Sequence, residues 1–287
     1  MWWFPLTLAT AVAESFKDLL AKRAHGRLDP WLTAWGLMVF TLPFLLPLLW
    51  ILPPPRFGPQ FWPAVVSGAL CNTVAFFLYI HAVRRSDLSL TTPILAFSPV
   101  LLLLTSPIMV GESPSPGGLV GILLVVGGSY ILNLGPRGGG PWAPFLAMLT
   151  LPGPRLMLGV AAIWGVTANL DKIAVVNSSP LHYAFALFAL MALFMAPPAL
   201  YMARGHLRQV PANLGLLLLL GGLNAFAILC QMVAVQQTLV VYVIAVKRTG
   251  GVLGVVWGWL FLKEPDIVNR LLGAAIMAAG VALIALA

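Results

Sequence analysis

Ten long apolar segments occupy most of the chain, and short loops that contain proline, glycine or charged residues separate them. A helix needs about 20 residues to cross the hydrocarbon core of a bilayer. Because the apolar runs are continuous and not alternating, they favour membrane-spanning helices over barrel strands. The sequence therefore predicts an all-α integral membrane protein. Its ten transmembrane helices, numbered spans 1 to 10, are predicted at residues 3–22, 31–51, 61–83, 88–110, 117–135, 157–176, 180–203, 213–235, 239–262 and 268–287.

The composition agrees with this fold class and excludes others. Of the 287 residues, 60% are apolar and 8% are charged, whereas about 25% are charged in an ordinary soluble domain. A soluble enzyme is therefore excluded. The 16 basic residues form no dense run, so no nucleic-acid partner is expected. Cys71 and Cys230 stand alone in apolar segments, and without metal-site spacing they predict neither a metal nor a cofactor.

The basic residues are distributed very unevenly between the two sets of loops. Arg56 alone lies in the loops after spans 2, 4, 6 and 8. The loops on the other side hold Lys22, Arg23, Arg27, Arg84, Arg85, Arg137, Arg155, Arg204, Arg208, Lys263 and Arg270. By the positive-inside rule the richer side is cytoplasmic, which places both termini outside the cytoplasm. Residues 142–151 are apolar but too short to span, and we expect them to be interfacial. If they did cross, every later span would invert.

Two parts of the chain match at a constant offset of 152 residues, and both read E-x8-G-x6-G. The anchors are Glu112, Gly121 and Gly128 in the first half and Glu264, Gly273 and Gly280 in the second. Each half has five spans, an odd number, so consecutive repeats have opposite orientations in the membrane. Inverted repeats of this kind are the basis of alternating access in many secondary transporters.

The loop charges support this inversion independently of the spacing. Arg84 and Arg85 after span 3 are replaced by Gln236 and Gln237 after span 8, as expected if charge follows the side of the membrane. We therefore predict two five-helix repeats and a connecting segment. Their bounds are 1–135 for the first repeat, 136–156 for the linker and 157–287 for the second repeat.

The repeated motif also resembles a known family. One copy reads VGESPSPGGLVGILLVVGG and the other LKEPDIVNRLLGAAIMAAG, and each follows a helix interrupted by proline or rich in glycine. This combination, duplicated across ten helices, resembles the EamA-type transporters of the drug/metabolite transporter superfamily. The resemblance covers nearly the whole chain. It implies two inverted five-helix bundles that move a small metabolite across a bacterial-type inner membrane, but it does not imply which metabolite.

Seven ionisable side chains lie inside the predicted spans, where each costs roughly 2.5–3.5 kcal/mol if it faces lipid. They are Glu14, Lys17, Asp18, Asp171, Lys172, Lys247 and Arg248. Lys247 and Arg248 lie about 12–14 Å into span 9, near the bilayer midplane. Two interpretations stay open for them: an ion pair with Glu14, Asp18 or Asp171, or contact with an anionic group of the substrate. Arg248 is the better fixed anion site, because Lys247 can lose its proton when desolvated.

The other candidates have weaker support. Lys17 and Lys172 occupy similar places in the two repeats, and either local pairing or cavity lining fits them. With Glu14, Asp18 and Asp171 they form the set of possible coupling or charge-pair residues. The polar and aromatic side chains that could contact substrate, besides Lys247 and Arg248, are Asn72, Tyr79, Trp164, Asn169, Gln231 and Tyr242. Each alone is more often an interhelical hydrogen bond than a ligand.

Backbone features suggest a packing seam and a hinge. Gly250, Gly254 and Gly258 recur every four residues, which lets helix backbones approach closely. Pro99 in span 4 matches Gly251 in the repeat, and a proline can kink a helix at that depth. Glu112 and Glu264 are expected to cap the helices of spans 5 and 10.

These observations predict a secondary active transporter, an exporter, and not an enzyme. The chain lacks GxxxxGK[ST], so an ion gradient of protons or sodium, or substrate exchange, would supply the energy. Four basic against three acidic side chains in the spans favour an amino acid or another zwitterionic or anionic substrate. The partners are the lipid bilayer and this small molecule, with a monomer or a homodimer both possible. The alternative is a non-transporting membrane scaffold or a membrane-embedded enzyme.

Overall fold

The structure, a computed structural model, describes the chain apart from residues 1, 24–27, 54, 87, 134–141, 143–144, 147–149, 255 and 257–266. The side chains of residues 22, 23, 88–90, 92, 133 and 267–270 are also left undescribed. The helices are α1 Trp3–Arg23, α2 Pro30–Ile51, α3 Phe61–Arg85, α4 Leu88–Leu95, α5 Ser98–Met109, α6 Pro116–Asn133, α7 Pro152–Val176, α8 Pro180–Met202, α9 Gln209–Ala212, α10 Leu214–Gln237, α11 Val240–Lys247 and α12 Ile267–Leu286. A 3₁₀ turn at Arg204–His206 follows α8.

These helices confirm the predicted ten-helix membrane fold. Five of them, α2, α3, α7, α8 and α10, are long and apolar enough on length and composition alone to cross a bilayer. Span 4 is divided into α4 and α5, and span 9 begins with α11 and continues as helix at residues 250–254. Span 6 was predicted to begin at residue 157, but α7 begins at Pro152. Pro152 and Pro154 were predicted to lie in the loop before span 6, but they belong to the first turn of the helix. A proline fits there because its missing N–H would have no partner within the helix.

Consecutive spans run in opposite directions between the two ends of the bundle. At the end that holds Trp3, called here the N-terminal face, the Trp3 ring stacks on Tyr242 with centroids 6.5 Å apart. At the opposite end, called the basic face, Arg84 lies 3.1 Å from Asp29. The Asp29 backbone N–H donates to Gln209 Oε1 at 2.9 Å, which ties the starts of α2 and α9 together at this face.

Local capping explains where several helices begin. Asp29 accepts a hydrogen bond from the backbone N–H of Trp31 and precedes a proline at the first position of α2. Ser179 accepts in the same way from His182 at the start of α8. Ser115 accepts from the Gly118 N–H at 3.1 Å at the start of α6. A side-chain acceptor followed by proline is a strong helix start, so each loop ends at a defined residue.

The repeated glycines face one another across the junction of the two halves. A Cβ added to Gly121 would lie 2.7 Å from the Gly280 carbonyl oxygen, and one added to Gly128 would lie 2.6 Å from the Gly273 carbonyl oxygen. Gly121 therefore pairs with Gly280, and Gly128 with Gly273, along antiparallel α6 and α12. Only glycine allows backbones this close. The E-x8-G-x6-G spacing of both halves is explained by this shared contact.

The two largest hydrophobic clusters among the described residues flank this arrangement. One contains buried side chains of α2, α3, α7 and α8, among them Trp31, Phe61, Tyr183 and Met191. The other contains side chains of α5, α6, α11 and α12, among them Leu102, Ile122, Val241 and Met277. Each core takes helices from both halves of the chain, so the halves interlock.

Candidate functional site

Two helices are interrupted at equivalent positions in the two halves. The helix pauses at Ala96 and Phe97 between α4 and α5, and at Arg248 and Thr249 after α11, 152 residues later. At both places backbone bonds run to the third residue back: Phe97 N–H to Ile94 O at 3.1 Å and Thr249 N–H to Val246 O at 3.0 Å. Such short 3₁₀ stretches inside a helix often mark a hinge or a functional site. Pro99 follows the first break directly, and its hinge role stays a prediction.

Arg248 connects the two interruptions. Its guanidinium group donates to the Ser98 hydroxyl at the start of α5. The Arg248 Nε is buried and has no hydrogen-bond partner among the described residues. Within the same part of the chain no carboxylate forms an ion pair with Arg248. Arg248 therefore keeps donor capacity in a buried place, which suits an anionic group brought by a ligand.

Lys247 points in a different direction, as expected for adjacent residues about 100° apart around a helix. Its Nζ lies 2.9 Å from Glu14 Oε1 and donates to Gln231 Oε1 at 2.7 Å. Of the two interpretations left open for Lys247, this geometry corresponds to an ion pair that joins α11 to α1. Gln231, a predicted substrate contact, is 5% exposed and serves as a partner of this lysine.

Lys17 extends the same network through the bundle. It lies 4.0 Å from Glu14 and donates to Asn224 Oδ1 at 3.0 Å. Asn224 in turn donates to the Thr41 hydroxyl at 3.1 Å. One polar chain thus runs from α2 through α10 and α1 to α11, and helices of both halves contribute to it. Buried charges are tolerated in a membrane only when they are paired in this way or face a water-filled space.

A cavity of about 260 Å³ adjoins this network. Asp18 is exposed and lines the cavity together with Lys17 and Tyr79. The Tyr79 ring also stacks on Trp164, with ring centroids 6.2 Å apart. The cavity extends to Arg84, so it reaches the basic face. Its remaining lining residues are Ala21, Leu28, Pro30, Thr33, Ala34, Leu37, Phe76, Ile80, Val83 and Leu220.

Several predicted site residues lie in other surroundings. Asn169 is fully buried and joins α7 to α5 through Thr105 and Ser106, each at 2.8 Å. Asn72 donates to the Gly68 carbonyl of its own helix at 3.0 Å. Tyr242 accepts from the Ser115 N–H at 3.1 Å at the N-terminal face. The structure does not bring these three to the cavity, and their contacts are those of helix packing.

Asp171 has a partner that the sequence did not suggest. The Tyr183 hydroxyl donates to Asp171 Oδ1, and Tyr183 itself is completely buried between α7 and α8. The carboxylate is therefore held by a hydroxyl between α7 and α8.

A further polar junction lies at the N-terminal face, and sequence reasoning missed the pairing of its residues. Lys172 lies 3.0 Å from Glu112 and donates to the carbonyls of Val235 at 2.7 Å and Thr238 at 2.9 Å. Glu112 also accepts from the Val240 N–H at 2.8 Å. Glu112 was expected to cap the helix of span 5, and that is wrong: it caps α11. The available signal was its place in the repeat, where Glu264 is its counterpart outside the described residues.

The predicted glycine seam is seen in part. A Cβ on Gly250 would lie 3.0 Å from the Ala11 carbonyl oxygen, so α1 and span 9 approach closely there. A Cβ on Gly254 would meet no heavy atom within 4 Å, so the close approach does not continue to that turn. Gly258 lies outside the described residues.

Ten membrane helices arranged as two inverted five-helix halves define the class of the protein, an integral membrane protein of the inverted-repeat kind that many secondary transporters share. The chain belongs to the EamA-like transporter family, whose profile matches residues 1–134 and 151–286. The chain is similar to a solved structure whose title reads only "Crystal structure of protein". The two superpose with a TM-score of 0.77 at 17% sequence identity, and the match covers 99% of this chain and 96% of the other. A search of curated proteins found no match. The family resemblance predicted from the repeat is thereby confirmed.

Proposed function

We propose that the protein is a secondary active transporter that exports a small zwitterionic metabolite, such as an amino acid, across a bacterial-type inner membrane by alternating access. The family supports transport as such. The observation that carries the finer proposal is the set of charges inside the spans, where Lys17, Lys247 and Arg248 are matched in number by Glu14, Asp18 and Asp171. Of these, Lys17 and Asp18 line the cavity that reaches the basic face, and Lys17 and Lys247 both lie within ion-pair distance of Glu14.

The charge balance favours a zwitterion over an anion. Four basic and three acidic side chains in the spans gave a small excess of positive charge. Glu112 neutralises the Lys172 ammonium, which leaves three charges of each sign inside the spans. A membrane-embedded set of charges with no net charge best matches a substrate with no net charge, because an unbalanced charge inside the membrane is costly.

The geometry suggests separate roles for the two signs. Arg248 offers a planar fork of donors to a substrate carboxylate, and it can exchange its bond to Ser98 for one to the substrate. Asp18 lines the cavity and would accept a hydrogen bond from a substrate ammonium group. Glu14 holds Lys247 and Lys17, so a proton or a sodium ion that competes for Glu14 would loosen the network. This is the place where we propose coupling to an ion gradient.

The orientation follows from the loop charges. If the basic face is cytoplasmic, as the positive-inside rule predicts, the cavity faces the cytoplasm. An exporter begins its cycle by taking substrate from that side. Both termini are then extracytoplasmic.

Two observations weigh against the alternatives. A scaffold would keep its central charges paired and dry, whereas Asp18 is exposed to a cavity and the Arg248 Nε has no partner among the described residues. A membrane-embedded metalloenzyme would need clustered ligands. The described part of the chain has no group of three His, Cys, Asp or Glu side chains that could hold a metal ion.

The test is flux in proteoliposomes with a panel of amino acids, organic anions, sugars and amines, under proton and under sodium gradients. We expect flux of a zwitterion, reduced at least about tenfold by Arg248→Ala, the size of a lost charge-assisted hydrogen bond. Arg204→Ala is the matched control, because Arg204 is exposed and lies over the Tyr201 ring. Absence of flux for every compound, with the protein folded, would contradict the proposal.

A further inference from the structure

We infer that Glu112 and Lys172 form a lock that closes the N-terminal face, and that this lock opens once in every transport cycle. The inference rests on the proposed function, because a lock of this kind matters only if the two faces open in turn. It assigns to Glu112 and Lys172 a conformational role that neither the family nor the cavity provides.

The two residues of the lock come from different halves of the chain. Glu112 belongs to the turn between α5 and α6 in the first half, and Lys172 belongs to α7 in the second. Their 3.0 Å contact is largely shielded from solvent, with each side chain 13% exposed. Three backbone groups at the junction of α10 and α11 complete it: the carbonyls of Val235 and Thr238 and the N–H of Val240.

The backbone contacts require a lysine at one position and a glutamate at the other. Lys172 donates to two carbonyls and Glu112 accepts from one N–H, so the two side chains cannot exchange places. Unpaired backbone groups at membrane depth are costly. Breaking the pair therefore also frees the end of α10 and the start of α11, which is the segment that leads to Lys247.

The N-terminal face is closed, whereas the basic face is open to a cavity. Beneath the lock, Val235, Val240 and Val243 have no exposed surface. At the basic face, a cavity of about 260 Å³ reaches the region of Lys17. Lys17 occupies a place in the first half similar to that of Lys172 in the second, but its partners are Glu14 and Asn224 inside the network. Two similar lysines with different partners are what one end state of an inverted repeat would show.

The experiment measures which face is open without measuring transport. Two single-cysteine reporters are made in the full chain after Cys71→Ala and Cys230→Ala. Val243→Cys lies one turn from Lys247 on the same side of α11, beneath the lock. Thr33→Cys lies in the cavity lining. The alkylation rate of each by a polar maleimide is measured in nanodiscs, where both faces are in contact with water.

We expect Glu112→Gln and Lys172→Met to raise alkylation of the Val243→Cys reporter and to lower that of the Thr33→Cys reporter, each by on the order of tenfold. Lys172→Arg, which keeps the charge, should change both rates less. Arg84→Gln is the matched control, because it removes an ion pair at the basic face. It should leave the Val243→Cys reporter buried.

The outcomes are distinct. A rise at one reporter with a fall at the other supports the lock. Unchanged rates at both reporters overturn it, and so does a rise at both, because that result means general loosening and not a change of face. If the wild-type protein moves no substrate in proteoliposomes but the reporters respond as expected, the proposed function fails and the transport cycle with it, whereas closure of the N-terminal face by Glu112 and Lys172 is supported. If it transports and the reporters do not respond, the reverse holds.

Discussion

The two faces of the bundle use similar residues in different ways. At the N-terminal face Lys172 is enclosed by a carboxylate and two backbone carbonyls. At the basic face, Asp18 is exposed in a cavity and Arg84 is 47% exposed in its pair with Asp29. The helices themselves are related by an inverted repeat. A chain with two equivalent halves therefore adopts an unequal arrangement, and the difference lies in side-chain partners and not in the backbone plan.

Burial decides how much each ion pair stabilises the bundle. Removing one partner of a buried pair leaves a charge without compensation and costs about 3–5 kcal/mol, whereas an exposed pair contributes about 1 kcal/mol or less. The comparison between the two faces can therefore be tested by reversing one charge at each. The seam between α6 and α12 provides a reference, because its two glycine contacts are almost the same at both levels.

The largest effect is expected from Glu112→Lys. It places a second ammonium group beside Lys172 and leaves the Val240 N–H without its acceptor, so we expect a loss of about 3–5 kcal/mol in the free energy of unfolding. Arg84→Glu reverses a charge in the half-exposed pair and should cost about 1 kcal/mol or less. Thermal denaturation in the same detergent measures both. Equal losses would show that the two faces do not differ in the way described.

A smaller effect is expected in the seam. Gly121→Ala and Gly128→Ala each place a Cβ within 2.7 Å of a facing carbonyl oxygen, and such overpacking costs typically about 1–3 kcal/mol. Gly127→Ala is the matched control, since a Cβ there would meet no heavy atom within 4 Å. Thermal stability should fall to a similar extent in the first two variants and not in the third. Unequal losses at Gly121 and Gly128 would mean that the seam, too, differs between the faces.

The spans and the repeat could be predicted from sequence because both are local patterns. Apolar runs mark the helices, and the glycines of E-x8-G-x6-G mark a close contact that both halves share. The partners of individual charges could not be predicted. Glu112 was expected to cap the helix that follows it, but Ser115 occupies that role and leaves Glu112 to α11.

The interruptions of spans 4 and 9 also show how far the sequence alone predicts the structure. Pro99 indicated a disturbance in span 4, but Arg248 and Thr249 carry no comparable signal, and span 9 was predicted as one continuous helix. The equivalent interruption there is visible only from its backbone hydrogen bonds. Pairing across helices and local 3₁₀ geometry depend on tertiary packing, which a single sequence does not specify.

The smallest effect on stability, and the most informative about the cavity, is expected from Asp18→Asn. Because Asp18 is exposed, its loss should change the free energy of unfolding by about 0.5 kcal/mol or less. It removes the negative charge that would meet a substrate ammonium group, so zwitterion flux should fall roughly tenfold, the equivalent of one charge-assisted hydrogen bond. Flux of the matching anion without the ammonium group should fall less or rise. Proteoliposome flux of the two compounds, in parallel with Asn72→Ala as a polar control away from the cavity lining, measures this. An equal fall for both compounds would remove Asp18 from substrate selection, and the basic face would then be an entrance without a role in recognition.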